Sequence, residues 1–274
     1  MGLEAWLLRQ DWLTLAGWAG QQALPLFAGG LALLLLLLAL AWWLLQAHAL
    51  PLARGSGGQA GAVWLLGAAG LVMLLGAAAL FAELAEHLGD GRRLARLDEA
   101  FTAALGAHAH AGTLQAFARL THLGDPATLT ALGVVVALAL WWRGQRLLAT
   151  GWVLAVGGNA LLNPALKRIF ERVRPEHAQG LVSEPGFSFP SGHSSSSMVA
   201  YGMLAYLALR LLPRAWHLPA LLLAAALVAA VGASRVFLQV HYASDVLAGF
   251  ASGAAWLLVA IGSVELARRR LLPR

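Results

Sequence analysis

The sequence predicts an all-α, polytopic membrane helix bundle with a six-helix core and one additional N-terminal hydrophobic helix. Hydrophobic residues make up 59% of the 274 residues, charged residues make up 12%, and the mean hydropathy is +0.70. This composition is too apolar for an ordinary soluble domain. Apolar runs of roughly 17 to 25 residues recur, each long enough to cross a ~30 Å hydrocarbon layer as a helix. They lie at about 24–47, 62–82, 126–142, 149–166, 194–211, 218–234 and 245–264.

The charge and cysteine content exclude several classes of protein. A net charge of +6 and a pI near 10.9 would suit a nucleic-acid binder, but the arginines are scattered at predicted helix ends and form no single stripe. We therefore expect no nucleic-acid partner. The absence of cysteine excludes disulfides and thiolate metal sites.

Residues 1–61 are predicted to form an N-terminal unit of their own. Tryptophans alternate with charged residues over 1–20, a pattern typical of an interfacial amphipathic helix. The extra hydrophobic helix follows, and a Gly/Ser-rich loop at 55–61 is expected to separate it from the rest. Seven crossings would place the N-terminus outside, whereas a re-entrant or interfacial piece within 1–47 would reduce the count to six.

Residues 83–125 form the one long polar interruption. Apolar residues at helical spacing predict two short amphipathic helices on the outer surface, separated by Gly112. Two groups contain residue types that can bind metals. They are His108 with His110, and Glu83, Glu86 and His87. Neither has partners at ligand spacing on a rigid element, so we expect solvated residues and no metal site.

The first polar cluster comprises Lys167 and Arg174, followed by Pro175. Seven residues are nearly two helical turns, so on a continuing helix both cations would share one face. Proline disfavours helical geometry in the residue before it, so the helix is expected to end there. Two such cations suit a dianionic phosphate. Considered alone, they also suit a positive helix cap together with Arg168 and Arg172.

The second cluster, Pro190-Ser191-Gly192-His193, directly precedes an apolar run. Ser191, Gly192 and His193 should therefore lie near a helix N-terminus, where exposed backbone N–H groups bind anions and glycine permits close approach of the main chain. His193 is a candidate general acid. The alternative interpretation is a capping serine beside a structural histidine.

The third cluster contains Ser234, Arg235, His241 and Asp245. His241 and Asp245 are four residues apart, which would stack them on one helical face and let the carboxylate accept a hydrogen bond from Nδ1–H. Nε2 would then be unprotonated, as an attacking imidazole requires. Charged groups beside lipid are costly, so a functional role is the expected one.

These clusters make the sequence resemble the type-2 phosphatidic acid phosphatase superfamily, membrane lipid phosphatases that share a site architecture with vanadium haloperoxidases. The signatures Lys-x6-Arg-Pro, Pro-Ser-Gly-His and Ser-Arg-x5-His-x3-Asp are all present, and no signature position departs from the pattern. The resemblance covers about 62–264, which we expect to be the lipid phosphatase core. It leaves 1–61 unexplained, and 265–274 is expected to be a basic cytoplasmic tail.

The resemblance also implies a role for each signature residue. His241 would attack phosphorus, Asp245 would orient it, and His193 would protonate the leaving oxygen. No metal and no cofactor are expected, because cations of the protein would supply the charge stabilisation. The residues implied to hold the phosphate oxygens are Lys167, Arg174, Ser191, Gly192 and Arg235.

The charges of the short loops predict the orientation in the membrane. If the three clusters share one side, the opposite side carries nine of the 19 basic residues, with Glu265 as the acidic neighbour. The other side holds 12 of the 13 acidic residues. We therefore expect a multi-pass protein of the cell (inner) membrane whose site faces the periplasm or the exterior.

The expected function is metal-independent hydrolysis of a lipid phosphate or pyrophosphate through a phosphohistidine. The resemblance suggests undecaprenyl pyrophosphate first, then phosphatidylglycerol phosphate, phosphatidic acid or lipid A phosphates, and the sequence does not choose among them. The alternatives are a lipid phosphotransferase, a non-catalytic lipid-phosphate binder or transporter, and a haloperoxidase holding vanadate. The intact histidines argue against a non-catalytic binder or transporter, and the apolar crossings argue against a haloperoxidase. The expected partners are the lipid substrate and the bilayer.

Overall fold

The computed structural model describes residues 12–88, 93–175, 182 and 184–271, with side chains at all of these positions except 53, 54, 56, 57 and 59. Over these residues it contains ten α-helices and no strand, which confirms the predicted all-α class. The helices are α1 (Trp12–Gln21), α2 (Ala23–Leu44), α3 (Leu50–Glu86), α4 (Arg93–His108), α5 (Ala111–Leu120), α6 (Pro126–Trp142), α7 (Arg146–Phe170), α8 (Gly192–Leu211), α9 (His217–Phe237) and α10 (Ala243–Leu271).

Each predicted apolar run lies on one of these helices, but fewer than seven helices meet a strict criterion for spanning a membrane. Among the described residues, four segments are long and apolar enough, Ala23–Leu52, Ala60–Glu86, Arg214–Phe237 and Ala243–Leu271. A fifth results if Ala111–Gly124 and Pro126–Trp142, bent by 42°, form one span. α7 and α8 carry buried asparagines and serines that face neighbouring helices, which lowers their hydropathy. The count of six or seven crossings stays a prediction.

The prediction of a Gly/Ser-rich loop at 55–61 is wrong. α2 continues through a π-helical turn, Leu45–Ala49, directly into α3. The chain stays helical through this segment except at Gly58, where φ is 62° and ψ is −145°. Side chains with a Cβ are strained in that conformation, so glycine allows the break. The separation of the first two apolar segments therefore depends on a single residue.

The described part of the predicted interfacial helix is α1, and residues 1–11 lie outside the described residues. Trp12 and Trp18 of α1 are 48% and 53% exposed, as suits a helix at the boundary of lipid and water. The two predicted amphipathic helices are α4 and α5, but they separate at residues 109–110 and not at Gly112. Within the described part of the chain, no group of three or more His, Cys, Asp or Glu residues is placed to hold a metal ion.

Two hydrophobic clusters hold the bundle together. The larger surrounds α8, which contacts α6, α7, α9 and α10, and it includes the fully buried Trp152, Met203 and Val231. The smaller lies beneath α4 and α5, where Phe117 stacks on Phe237 with 4.2 Å between the ring centroids. This second cluster includes Leu238 and Val240, so it anchors the turn between α9 and α10.

α8 and α10 approach each other closely because two glycines of α10 face α8. A Cβ on Gly249 would lie 2.6 Å from the carbonyl oxygen of Ser191, and one on Gly253 would lie 2.7 Å from that of Ser195. Small residues four apart allow helices in membranes to pack backbone against backbone. This contact brings the N-terminal ends of α8 and α10 together, which sets the distance between the second and third polar clusters.

Gly249→Ala is therefore expected to destabilise the fold and to reduce its function. The added methyl group meets backbone atoms that cannot rotate away, and overpacking of this kind costs about 1–3 kcal/mol. Thermal unfolding in detergent measures the effect. Gly67→Ala on α3, where a Cβ would meet nothing within 4 Å, is the matched control. Equal unfolding temperatures for the two variants would contradict the close helix contact.

Candidate active site

The three signature segments meet at one end of the bundle. Lys167 lies in the last turn of α7, His193 in the first turn of α8, and Arg235 in the last turn of α9. His241 lies in the turn before α10, and Asp245 is in the first turn of α10. A cavity of about 590 Å³ opens at this end, and its wall includes Lys167, Arg174, Gly192, His193 and His241.

Lys167 and Arg174 reach the cavity from different local structures, so the prediction of a shared helical face is wrong. α7 ends at Phe170, and Glu171 adopts a left-handed conformation with φ 45° and ψ 30°. The Glu171 N–H donates to the Lys167 carbonyl at 3.0 Å, which closes the helix. Residues 171–175 then continue without regular structure. The chain reverses here, and this reversal brings Arg174 to His241.

The protonation of His241 follows from its neighbours. Arg174 Nη1 lies 3.1 Å from Nε2 of His241, and a guanidinium can only donate, so Nε2 must be the unprotonated nitrogen. Burial lowers the pKa of His241 to about 3, and the charges of Arg174 and Lys167 lower it further against the opposing effect of Asp245. The imidazole is therefore neutral, with its lone pair on the nitrogen at the cavity.

Ser188 connects His241 to Asp245. The direct distance from His241 Nδ1 to Asp245 Oδ2 is 3.5 Å, whereas Ser188 Oγ lies 3.1 Å from Nδ1 and donates to Oδ2 at 2.5 Å. His241 precedes α10, so the predicted stacking of the two residues on one helical face is wrong. The carboxylate holds the imidazole through a serine hydroxyl as well as by direct proximity.

Asp245 is completely buried, and polar groups surround its carboxylate. Oδ2 accepts from Ser188 and from the Tyr242 N–H at 2.9 Å, while Oδ1 accepts from Arg172 at 2.7 Å. A buried charge needs such partners to offset its lost hydration. Asp245 can therefore stay ionised beside the histidine it supports.

His193 occupies the opposite wall of the cavity. Its Nε2 lies 2.9 Å from Asp125 Oδ1 and 3.8 Å from Glu184 Oε1. Asp125 also accepts from His122 at 2.7 Å. A carboxylate accepts only, so the proton of His193 lies on Nε2, where a general acid needs it.

The three predicted phosphate-binding cations are all held by other groups. Lys167 donates to the Phe187 carbonyl at 2.5 Å, and Arg174 donates to the carbonyls of Gly186 and Val240 at 3.0 and 2.7 Å. Arg235 donates to Thr121 and forms an ion pair with Glu184 at 2.5 Å.

Glu184 is the acidic partner among these cations. Burial would raise the pKa of Glu184, but Arg235 and His193 lower it overall, so this carboxylate is ionised. Over the described residues, Nε of Arg235 is buried without a hydrogen-bond partner. The site therefore contains fixed positive charge and one uncommitted donor.

Ser191 and Gly192 take different positions. Gly192 lies on the cavity wall, but Ser191 is fully buried, and its hydroxyl accepts from the Ser194 N–H as the N-cap of α8. The side chain of Ser191 thus has the capping arrangement that the sequence left open as an alternative. A direct hydrogen bond from Ser191 to phosphate stays a prediction.

Comparison with known proteins identifies the family. Residues 147–269 match the PAP2 superfamily. Phosphatidylglycerophosphatase B of Bacillus subtilis is 37% identical over 152 residues, which cover 55% of this chain and 74% of that protein. The chain belongs to the PAP2 superfamily. A crystal structure of a transmembrane PAP2-type phosphatidylglycerolphosphate phosphatase from Bacillus subtilis is 32% identical, with a TM-score of 0.67, and the match covers 72% of this chain and 98% of that one.

Further PAP2 relatives are also phosphatases. Decaprenylphosphoryl-5-phosphoribose phosphatase of Mycobacterium tuberculosis (strain H37Rv) is 34% identical over 151 residues, covering 52% of this chain and 76% of that protein. Lipid A 1-phosphatase of Rhizobium johnstonii is 36% identical over 139 residues, covering 47% of this chain and 51% of that protein. The protein is thus a multi-pass membrane phosphatase of the PAP2 superfamily.

Sequence reasoning missed five side chains of this PAP2 site. Ser188 and Glu184 lie in the loop before the second signature, and Asp125 lies just before α6. Arg172 was interpreted only as part of a positive helix cap. Asp98 lies on the same face of α4 as Leu94, Phe101 and Leu105, and an acidic residue at an apolar position was the signal that could have revealed it.

The shifted pKa of His241 predicts how stability depends on pH. Between about pH 3 and 6.5, the unfolded chain binds a proton at this histidine that the folded protein does not bind, so the free energy of unfolding falls as the pH falls. By pH 5 the loss is up to about 2 kcal/mol. His241→Asn should therefore lose less stability than wild type between pH 7.5 and 5 in detergent. The exposed His108→Asn is the control, and equal losses for wild type and His241→Asn would show that His241 is not buried in its neutral form.

Proposed function

We propose that this protein is a metal-independent phosphatase that releases the terminal phosphate of a membrane lipid through a phosphohistidine at His241. The observation that carries the proposal is the hydrogen bond from Arg174 to Nε2, which fixes the lone pair of a buried, neutral imidazole at a cationic cavity. Neutral imidazole is a competent nucleophile once the incoming phosphate takes the Arg174 hydrogen bond from this lone pair.

The proposed reaction has two steps. In the first, Nε2 of His241 attacks phosphorus and the bond between phosphorus and the lipid oxygen breaks. The leaving oxygen takes the Nε2 proton of His193 in its imidazolium form, which becomes neutral imidazole. In the second, water attacks the phosphohistidine, neutral His193 accepts a proton from that water, and the phosphorus–nitrogen bond breaks. Asp245 and Ser188 hold Nδ1–H throughout and stabilise the positive charge that develops on the imidazole.

Charge stabilisation in this proposal comes from the protein itself. Lys167 and Arg174 line the cavity, and carbonyl groups already hold both in position. Arg235 is fully buried and pairs with Glu184 of the cavity wall. Donors that are fixed before the reaction do not need to reorganise as charge develops. The unpartnered Nε–H of Arg235 is a suitable donor for a phosphate oxygen.

We propose that the substrate carries a single terminal phosphate group. The named relatives act on phosphatidylglycerophosphate, decaprenylphosphoryl-5-phosphoribose and lipid A. The cavity continues between α6, α7 and α8 along Leu129, Val156 and Val199, an apolar lining that suits a lipid chain. Undecaprenyl pyrophosphate, which carries two linked phosphate groups, is the alternative substrate, and the same assay distinguishes the two.

We also propose that the site faces the outside of the cell (inner) membrane. Arg143 and Arg146 flank the turn between α6 and α7, and Arg210 and Arg214 flank the end of α8. α10 ends in a run of arginines, and all of these residues lie at the helix ends away from the cavity. Glu265 pairs with Arg210, which supports placing the ends of α8 and α10 on one side. Basic loops are typical of the cytoplasmic side.

Purified protein in detergent with EDTA tests the proposed function. Phosphate release is measured from phosphatidylglycerophosphate, phosphatidic acid, a lipid A phosphate and undecaprenyl pyrophosphate, and radiolabelled substrate is used to trap an acid-labile, base-stable phosphohistidine. We expect turnover without added metal, and His241→Ala should abolish the label. His193→Ala should slow turnover by about 10²–10⁴-fold.

Several results would overturn this proposal. A strict requirement for Mg²⁺ contradicts a site in which protein cations act alone. Substrate binding without turnover shows a binding protein, and transfer of the label to a lipid acceptor in place of water shows a phosphotransferase. A label that persists in His241→Ala would remove the assigned nucleophile.

Glu184→Gln tests the role of the carboxylate in the cavity. Removing its charge frees Arg235 from an ionic competitor, so inorganic phosphate and vanadate should inhibit at concentrations at least about fivefold lower, which corresponds to ~1 kcal/mol of repulsion. The exposed Glu83→Gln is the control. Weaker inhibition in Glu184→Gln would show that the carboxylate instead holds Arg235 in its binding position.

A further inference from the structure

α4 contacts the active-site turn through Asp98, an acidic residue that is only 5% exposed. Asp98 Oδ1 accepts from the Ser244 N–H at 3.2 Å, and Oδ2 accepts from the Ser244 hydroxyl and from Arg172 Nη2 at 2.8 Å. An N–H at the start of a helix lacks a partner within the helix. Asp98 therefore caps the N-terminus of α10 although it lies on a different helix. The capped residue, Ser244, directly precedes Asp245.

Arg172 joins Asp98 to Asp245. Its Nη1 donates to Asp245 Oδ1 at 2.7 Å, and the guanidinium lies over the Tyr242 ring, 4.4 Å from its centroid. Burial would lower the pKa of Arg172, but Asp245 and Asp98 raise it overall, so this cation stays charged. One planar group thus neutralises two buried carboxylates, a geometry suited to arginine and unsuited to lysine.

Further contacts fix α4 to the same turn. The Gln239 side chain donates to the Thr102 carbonyl at 2.8 Å, and a Cβ on Gly106 would lie 2.4 Å from Nε2 of that side chain. The Tyr242 hydroxyl donates to Glu99 at 3.0 Å. α4 thus contacts the turn on both sides of His241, and its position sets the position of the nucleophile.

We propose that Arg172 and Asp98 are positioning residues for phosphoryl transfer, and this inference depends on the proposed function. Neither is a signature position, and neither is on the cavity wall. Arg172 would act by keeping Asp245 ionised and oriented, so that the carboxylate holds the imidazole through Ser188. Asp98 would act by orienting Arg172 through its contact with Nη2. A merely structural ion pair would affect stability and leave the chemical step unchanged.

Kinetics of Arg172→Met, Arg172→Lys and Asp98→Asn distinguish a positioning role from a purely structural one. For Arg172→Met we expect kcat and the rate of phosphohistidine formation to fall about 10- to 100-fold, as with other groups that orient a catalytic side chain. KM should stay within about twofold, because Arg172 does not contact substrate. Arg172→Lys should recover only part of the loss. Asp98→Asn, which keeps the shape and one acceptor oxygen, should lower kcat about three- to tenfold, again with little change in KM.

The double variant Arg172→Met/Asp98→Asn tests the connection between the two residues. If Asp98 acts through Arg172, the double variant should be no slower than Arg172→Met alone. The exposed Arg96→Gln on α4 is the control for loss of a charge from this helix, and it should leave kcat unchanged. Circular dichroism and size exclusion verify folding, and Asp98→Asn remains informative if Arg172→Met does not fold.

Two outcomes would overturn the inference. Unchanged kcat with a lowered unfolding temperature would assign a structural role to the pair, and a raised KM with unchanged kcat would assign a direct contact with substrate. Failure of the proposed function is distinguishable, because wild-type protein would then release no phosphate and form no phosphohistidine.

Discussion

The site depends on one buried charge, the carboxylate of Asp245. An ionised group with no exposed surface is stable only when donors surround it, and those donors come from three separate stretches of chain. Ser188 comes from the loop before α8, Arg172 from the segment after α7, and the Tyr242 N–H from the turn before α10. Satisfying this carboxylate therefore assembles the site, because each donor lies within a few residues of a signature residue.

The same arrangement explains how His241 can be both buried and reactive. Its two nitrogens have different partners, a hydroxyl linked to a carboxylate on Nδ1 and a guanidinium on Nε2. The positive charge of Arg174 beside the lone pair disfavours protonation of Nε2. The imidazole therefore stays neutral next to the cavity where phosphate is proposed to bind. Glu184 has a related effect on Arg235, since it neutralises a buried cation.

The sequence allowed the helices and the signature residues to be predicted, because both depend on local patterns. Apolar runs identified the membrane helices, and α6 has the predicted bounds. The contacts between residues that are distant in the sequence were harder to predict. Lys167 and Arg174 were placed on one helix because Pro175 was the visible stop signal, whereas Glu171 ends the helix earlier. Arg172 and Asp98 belong to no local pattern, since Ser244, which both contact, is 72 positions from Arg172 and 146 from Asp98.

α4 shows why a membrane phosphatase would build its site partly from a helix at the membrane surface. α1 packs closely on α4, since a Cβ on Gly20 would lie 2.3 Å from the Phe101 carbonyl, and α1 exposes Trp12 and Trp18. Aromatic side chains of this kind favour the level of the lipid head groups. We therefore expect α4 to lie near the level of the lipid head groups, while its inner face holds Arg172 and the turn of His241. The proposed nucleophile, His241, would then be positioned by the same helices that are expected to meet the bilayer surface.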